Sequence, residues 1–176
     1  MTTSPKPVDA TADAWHVLRN RTFDEIAIGD SASLERAFSS QDIHMFALQS
    51  GDVDPEPAVS SSARGTTEAI CANALISAVL STRLPGPGTR YVNQNLCFLG
   101  AVRPGDRLTV RMQVTSKDTA NHHVTLACTC TNQEGVAVFQ GQVEVVAPTE
   151  RLERTRTVLP EIHPDAQGHT GLQRLL

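Results

Sequence analysis

The sequence predicts an α+β domain in which an antiparallel sheet curves around one long apolar helix. Two observations carry this prediction: the chain has no charged residue from Ala69 to Thr82, and apolar and polar residues alternate in the segments that follow Tyr91. A helix that is apolar on every side has to be surrounded by other elements. Because strand patterns make up most of the chain after this helix, we expect a sheet to surround it.

A short strand and a short helix are expected before the apolar helix. The turn signal at residues 29–30 is followed by alternating residues, a pattern typical of a strand. Ser39 and Asp42 have the spacing of a capping box, and the apolar stripe behind them ends at Gly51. We therefore expect a helix up to Gly51, followed by a loop over residues 51–66, which are rich in Pro, Ser, Gly and Asp.

The apolar helix has recognisable limits. Thr66 or Thr67 can cap its start, and Glu68 falls in its first turn. The run Pro85–Gly88 breaks the helix after Thr82.

Four strands are expected after the helix, over residues 91–98, 108–115, 123–130 and 136–146. Apolar and polar residues alternate in them, so each strand has one buried and one wet face. An irregularity is expected near Gly141, and Pro148 ends the sheet. A sheet of so few strands keeps open edges, so pairing between two subunits is expected.

The pattern indicates one domain with two appendages. Residues 1–20 have no structural period and are expected to form a flexible arm, residues 21–148 the domain, and the charged, Pro-punctuated residues 149–176 a tail or linker.

Composition excludes several classes of function. The formal net charge is −4, and the aromatic residues are five Phe, one Trp and one Tyr, which does not favour a nucleic-acid partner. No leader sequence or bilayer-spanning segment is visible, so a soluble cytoplasmic protein is expected. The four cysteines lack CxxC spacing and are expected to be reduced packing thiols, and the histidines lack metal-ligand spacing, so no metal is expected.

Several blocks of the sequence, SGDVDP, LPGPGT, VRPGD and the segment ending in VEVVAPTE, together resemble the MaoC-like family of hotdog-fold (R)-specific enoyl-CoA hydratases and dehydratases. The resemblance covers roughly residues 21–150 and is closest to the hydratase-like domain that precedes phosphate acetyl- or butyryltransferases in some bacterial proteins. It implies a hotdog fold and a CoA or carrier-protein thioester as substrate. It also implies that water is added or removed at the 2,3-position of that substrate, with no cofactor.

The family pattern S-G-D-x-N-P-x-H supplies an Asp and a His that activate the water. Ser50, Gly51 and Asp52 match it, so the resemblance assigns the catalytic Asp to Asp52. Pro57 stands at the His position in one alignment, and in a second alignment the N-P-x-H piece is deleted, so both lack the His. Because hydration needs two proton-handling groups, reduced or altered activity is expected.

The family reads A-H-G-M where this chain reads Thr67–Ile70, and a main-chain N–H there is believed to hold the thioester oxygen. The resemblance therefore assigns the oxyanion site to the N–H groups of Ala69 and Ile70. Glu68 stands where hotdog thioesterases of other families place an acidic base or nucleophile, so a thioesterase is one alternative. A second alternative is a non-catalytic subunit that pairs with an active paralogue. Without such a partner, a homodimer is expected.

Arginines that related domains carry before the V-R-P-G-D turn are replaced here by residues such as Cys97 and Leu99. If those arginines bind CoA phosphates, Arg90, Arg103 or Arg107 are the candidates to substitute for them.

Overall fold

The computed structural model describes residues 17–51 and 66–155, with only the backbone of Leu48 and of residues 66–68. Within these residues the helices are α1 (Ser40–Ser50) and α2 (Thr66–Thr82). The strands are β1 (Val17–Arg19), β2 (Ser31–Ala37), β3 (Arg90–Phe98), β4 (Arg107–Asp118), β5 (His123–Thr131), β6 (Ala137–Val146) and β7 (Glu153–Thr155).

The main sheet is five-stranded and antiparallel, in the order β2-β4-β5-β6-β3. This arrangement confirms the predicted α+β fold with one antiparallel sheet and one long apolar helix. The alternation predicted for β4 and β5 is also confirmed, since their inward residues are almost completely buried: Leu108, Val110, Met112, Val114, Val124, Leu126, Cys128 and Cys130.

Helix α2 packs one face onto this sheet. Six of its side chains are buried in the core: Cys71, Ala72, Leu75, Ile76, Val79 and Leu80. Burying a large aliphatic side chain stabilises the fold by about 1.5–3 kcal/mol, so this face fixes the helix on the sheet. The opposite face is not covered by the described residues 17–51 and 66–155, with Ile70 42% exposed and Ala74 and Ser77 also exposed. In a single chain the sheet therefore covers one side of the helix that was predicted to be surrounded.

A bulge in β4 brings a lysine to the core side of the sheet. The pairing of β4 with β5 shifts between Val114 and Ser116, which reverses the inward and outward alternation beyond that point. Lys117 consequently points inward and donates from Nζ to the carbonyls of Phe23 and Ile26. The ammonium also lies 4.2 Å from the centroid of the Phe23 ring. This lysine thus ties the 3-10 turn before β2 to the sheet.

Strand β6 has an irregularity near Gly141, as predicted, but not at Gly141 itself. Gly141 pairs in register with Leu96 on β3 and with Cys128 on β5. The shift in β6 lies at Val138, which is skipped in the pairing with β5. Gly141 is instead required for space, because a Cβ at this position would lie 2.0 Å from the carbonyl oxygen of Asn95.

Near the C-terminal end of α2, residues just outside the expected domain limits of 21–148 pack against each other and against the domain. Strands β1 and β7 form a two-stranded antiparallel sheet. The buried Asn20 donates to the carbonyl of Glu150 and accepts from the N–H of Leu152. Gly86, with φ of 101°, lies against Asn20 so closely that a Cβ would come within 2.9 Å of its Cα. The LPGPG segment therefore holds the two terminal strands against the domain.

The cysteines are free thiols, and three of them, Cys71, Cys128 and Cys130, are buried. Burial raises the pKa of Cys128 to about 12, and burial together with the nearby Cys128 raises the pKa of Cys130 to about 12. The packing role predicted for the cysteines fits these three residues. Cys97 differs, because it is exposed on strand β3.

The capping box predicted for α1 is present and makes stability depend on pH. Ser39 donates from its backbone N–H and its hydroxyl to Asp42, whose carboxylate also lies 2.7 Å from Arg36. Burial opposes ionisation of Asp42, but the Ser39 hydrogen bonds and the Arg36 charge outweigh it, so the pKa of Asp42 is lowered. A lowered carboxyl pKa adds stability above the unfolded-state value, and that stability is lost as the pH falls through the folded-state value.

We expect Asp42→Asn to destabilise the chain by about 1 kcal/mol at pH 7. The difference from the unsubstituted chain should shrink as the pH falls below the unfolded-state pKa of about 4 and close only below the lowered folded-state pKa, where Asp42 carries a proton in both states. Urea unfolding of both proteins at pH 7 and at pH 3 measures this difference in the free energy of unfolding. Glu35→Gln is the control, because Glu35 is exposed and 3.6 Å from Arg107, and should change stability little at either pH. An Asp42→Asn effect of the same size at both pH values contradicts the assignment.

Candidate functional site

The predicted catalytic segment lies between the end of α1 and the start of α2. Gly51 ends α1 in the left-handed region, with φ of 74°, and its N–H donates to the carbonyl of Ala47. Glycine suits this helix-ending conformation because it has no Cβ. Asp52 follows directly, but it lies outside the described residues, as does Pro57. The two helices pack against each other, so α1 positions the residue before Asp52 relative to α2.

The next described element after Gly51 is the N terminus of α2. The helix begins at Thr66, so the backbone of Glu68 lies in the first turn as predicted, while its side chain is not described. The first N–H groups of a helix have no acceptor within it and carry a partial positive charge. Such a terminus can stabilise an oxygen atom on which negative charge develops.

The start at Thr66 bears on the predicted oxyanion donors. In an α-helix each N–H donates to the carbonyl four residues earlier, so the N–H of Ile70 faces the carbonyl of Thr66. The N–H groups without an acceptor inside α2 are then those of residues 66–69, which include Ala69 but not Ile70. Ala69 is half-buried and Ile70 is exposed at this end of the helix. The assignment of the oxyanion to Ala69 and Ile70 stays a prediction.

A chain of polar side chains joins α2 to the edge strand β3. The hydroxyl of Tyr91 donates to Oε1 of Gln94, with the two oxygens 2.9 Å apart. Nε2 of Gln94 donates to Oδ1 of Asn73 over 3.0 Å. Burial raises the pKa of Tyr91 to about 12, so its hydroxyl keeps the proton at neutral pH. We call these three residues the amide bridge.

Sequence reasoning missed the amide bridge. Its one local signal is that Asn73 is the only amide between Ala69 and Thr82. The partner of Asn73 lies 21 residues away on another element. Nothing in the local pattern relates the two positions, so only the fold brings them together.

The histidines of β5 lie away from this site. His123 Nδ1 is 2.8 Å from Glu144, and the His122 ring packs edge-on against Phe23. His123 pairs with Val146, at the end of the sheet where α2 ends. His44 is exposed on α1. Within the described residues no three His, Cys, Asp or Glu side chains are grouped so that they could hold a metal ion.

The arginines proposed for phosphate binding are divided between the two ends of the sheet. Arg90 begins β3, next to the end of α2. Arg103 lies toward the start of α2 and lines an open cleft of about 260 Å³. Asp106 and Gln133 also line this cleft and are joined by a hydrogen bond of 3.0 Å. Arg107, close by, is 3.6 Å from Glu35.

Comparison with known proteins places this architecture in a family. The family model described as "MaoC like domain" matches residues 25–134, which include α1, α2 and the strands β2 to β5. The chain belongs to the MaoC-like domain family. The fold and the family predicted from the sequence are thereby confirmed.

Relatives of this MaoC-like chain carry names that refer to CoA thioesters. It is 39% identical over 132 residues to an (R)-specific enoyl-CoA hydratase of Rhodospirillum rubrum, an alignment that covers 72% of this chain and 91% of the relative. It is 36% identical over 137 residues to a 3-hydroxybutyryl-CoA dehydratase of Methylorubrum extorquens, which covers 74% of this chain and 87% of the relative.

Among solved structures, the MaoC-like chain resembles R-hydratase PhaJ1 from Pseudomonas aeruginosa in the unliganded form. The TM-score is 0.76 at 33% identity, and the match covers 84% of this chain and 98% of that one. The particular likeness to domains that precede phosphate acyltransferases stays a prediction. In the part of the MaoC-like chain that the structure describes, no helix is long and apolar enough to cross a membrane.

Proposed function

We propose that the chain adds water to the 2,3-position of an enoyl thioester, carried by CoA or by an acyl carrier protein, and removes it in the reverse direction. The observation that carries this proposal is the 39% identity to an (R)-specific enoyl-CoA hydratase over most of both chains. The order of the elements is consistent with it, because Asp52 comes two residues after the end of α1 and before α2, which begins at Thr66.

In the proposed reaction the Asp52 carboxylate removes a proton from water as the water oxygen forms a bond to C3. The electrons of the 2,3-double bond move toward the thioester carbonyl, and negative charge develops on its oxygen. The N-terminal N–H groups of α2 stabilise that charge. C2 then takes up a proton, which the Asp52 carboxyl group can return, so the sum is the addition of one water.

The absent histidine limits this reaction. A single carboxyl group has to remove and return the proton, whereas the family pattern provides two groups. A missing general acid or base costs about 10²–10⁴-fold in rate. We therefore propose a hydratase whose kcat is reduced relative to members with the complete pattern.

The proposal is tested by following the enoyl absorbance of crotonyl-CoA with the purified chain, and in the reverse direction with 3-hydroxybutyryl-CoA. The expected result is a slow, enzyme-dependent loss of enoyl absorbance that stops at the same equilibrium from both sides. No reaction above the protein-free blank with crotonyl-CoA or longer enoyl-CoA substrates contradicts the proposal.

A thioesterase is the second candidate, and the placement of Glu68 favours it. The first turn of α2 brings this residue to the helix terminus, where a carboxylate can attack a thioester or activate water. Release of free thiol from acyl-CoA that is lost in Glu68→Gln supports a thioesterase. Thiol release that survives Glu68→Gln contradicts that role.

We also propose that two copies pair through β3. This strand is at the edge of the sheet and has exposed large side chains, with Tyr91 48% and Val92 46% exposed. The open face of α2, with Ile70, lies on the same flank as β3, to which Asn73 bonds. Unpaired strand edges and adjacent apolar surface are the features that a second subunit covers.

A charge on this edge is expected to prevent the pairing. Val92→Lys should convert a dimer into a folded monomer, because an unpaired ammonium disfavours edge-to-edge contact. Sedimentation velocity with circular dichroism measures both properties. Ile28→Lys is the matched control, since Ile28 is 66% exposed in the turn before β2, and it should stay dimeric. A Val92→Lys protein that remains a dimer contradicts pairing through β3.

A further inference from the structure

The main sheet has a second edge at strand β2, on the side opposite β3, and no described strand pairs with β2 beyond that edge. Strand β2 pairs with β4 along its whole length without a register shift. Before β2, the carbonyl of Asp30 accepts from the N–H of Val114 over 2.8 Å. After β2, the N–H of Phe38 donates to the carbonyl of Asp106 over 2.9 Å. Because backbone groups alternate in direction along a strand, the even-numbered residues of β2 direct their N–H and C=O groups toward β4, and the odd-numbered residues direct theirs to the open edge.

Arg83 occupies one of the carbonyls at this open edge. Its guanidinium Nη1 donates to the carbonyl oxygen of Ser33, near the middle of β2 and 50 residues away in sequence. Arg83 follows directly after α2, where its own N–H donates to the carbonyl of Val79 over 2.9 Å. The next residue, Leu84, is buried, with 2% exposure. The side chain therefore reaches the edge of β2 from a backbone that the core holds in place.

A guanidinium in this position disfavours the addition of another strand to β2. An added strand would have to donate its own N–H groups to the outward carbonyls, including that of Ser33. It would also have to displace Arg83 from that carbonyl and lie beside its positive charge. The exposed side chains of Glu35 and Arg36 add further charge to the same strand. Charged side chains on an edge strand are one of the means by which proteins prevent edge-to-edge association.

We infer that Arg83 blocks the open edge of β2 and thereby restricts association between copies of this chain to the edge of β3. The inference rests on the proposed pairing through β3 and is independent of the proposed hydration. A chain that pairs with itself at both edges of its sheet builds an open series of copies, whereas pairing at one edge gives a closed dimer. Strand β3 is the edge left for pairing, since its exposed side chains include the large, uncharged Tyr91 and Val92.

Sedimentation velocity of Arg83→Gln tests this inference. Glutamine is uncharged and shorter than arginine, so it leaves the Ser33 carbonyl open to another strand. The weight-average mass should rise at least about twofold over that of the unsubstituted chain, because each opened edge can join two dimers. Arg83→Lys keeps a charged donor and should keep the unsubstituted mass. Arg111→Gln is the matched control, because Arg111 is the exposed β4 residue opposite Ser33, and it should also leave the mass unchanged.

A double variant identifies the edge that is used. In Arg83→Gln with Ser33→Lys, the exposed position 33 carries an ammonium, which should return the mass to that of the unsubstituted chain. Circular dichroism shows whether each variant is folded. A folded Arg83→Gln chain of unchanged mass overturns the inference, as does a larger species that persists when Ser33→Lys is added.

Val92→Lys decides the question if Arg83→Gln does not fold, because Arg83 is intact in it. A Val92→Lys monomer supports the inference, since blocking β3 then leaves no edge for pairing. A Val92→Lys dimer that Ser33→Lys dissociates shows pairing through β2, and overturns both this inference and the proposed pairing through β3. Absence of crotonyl-CoA hydration by the unsubstituted chain overturns the hydratase proposal alone.

Discussion

Asp52→Asn is expected to lower kcat for the hydration of crotonyl-CoA by about 10²–10⁴-fold. The carboxamide keeps the shape of the side chain but cannot take a proton from water. The family histidine is missing in both alignments of this segment, so no second residue of the family pattern is left to take over this step. KM should change little, because the proposal assigns binding of the thioester oxygen to the N–H groups of α2 and not to Asp52. Steady-state kinetics measured by enoyl absorbance provide both parameters.

The matched control is Asp54→Asn, which removes a carboxylate two residues further along the same segment. It should leave kcat unchanged, because the resemblance gives Asp54 no proton-handling role. An unchanged kcat in Asp52→Asn removes the role assigned to Asp52. A loss of the same size in both variants shows that the charge of the segment, rather than one proton-handling group, determines the rate.

Gly141→Ala is expected to destabilise the domain by about 3 kcal/mol. The added Cβ would lie 2.0 Å from the carbonyl oxygen of Asn95 and 2.9 Å from the Cα of Leu96. Backbone atoms of a neighbouring strand cannot rotate away as a side chain can, so β3 has to move from β6. For a chain of this size the expected fall in Tm is roughly 10 °C.

Urea unfolding measures this effect, with Gln142→Ala as the control. Gln142 is the next residue on β6, its side chain is exposed, and the substitution should change the free energy of unfolding by about 0.5 kcal/mol or less. A Gly141→Ala chain with an unchanged urea midpoint would show that β3 does not approach β6 as described.

The fold could be predicted from the sequence where a local period determines the structure. The charge-free run of α2 and the alternation of β4 each depend on neighbours within a few residues, and both are confirmed. The bulge after Val114 could not be predicted, since it depends on how β4 matches β5. That single extra residue decides that Lys117 points to the core.

The candidate site was predictable to a smaller extent. The resemblance supplied Asp52, Ala69 and Ile70, and the first-turn position supplied Glu68; because these residues lie within short motifs the sequence could suggest them, and their roles stay predictions. The contact of Asn73 with Gln94 depends on the position of an edge strand relative to a helix. No short motif encodes such a position, so this contact emerges only from the fold.

The central claim is that the chain hydrates an enoyl thioester, and the mass of the product tests it most directly. Purified chain is incubated with crotonyl-CoA, and the CoA species are separated and weighed by mass spectrometry. The predicted product is one water heavier than crotonyl-CoA, keeps its thioester, and forms much more slowly with Asp52→Asn. Free CoA as the only product, or unchanged crotonyl-CoA, contradicts the claim.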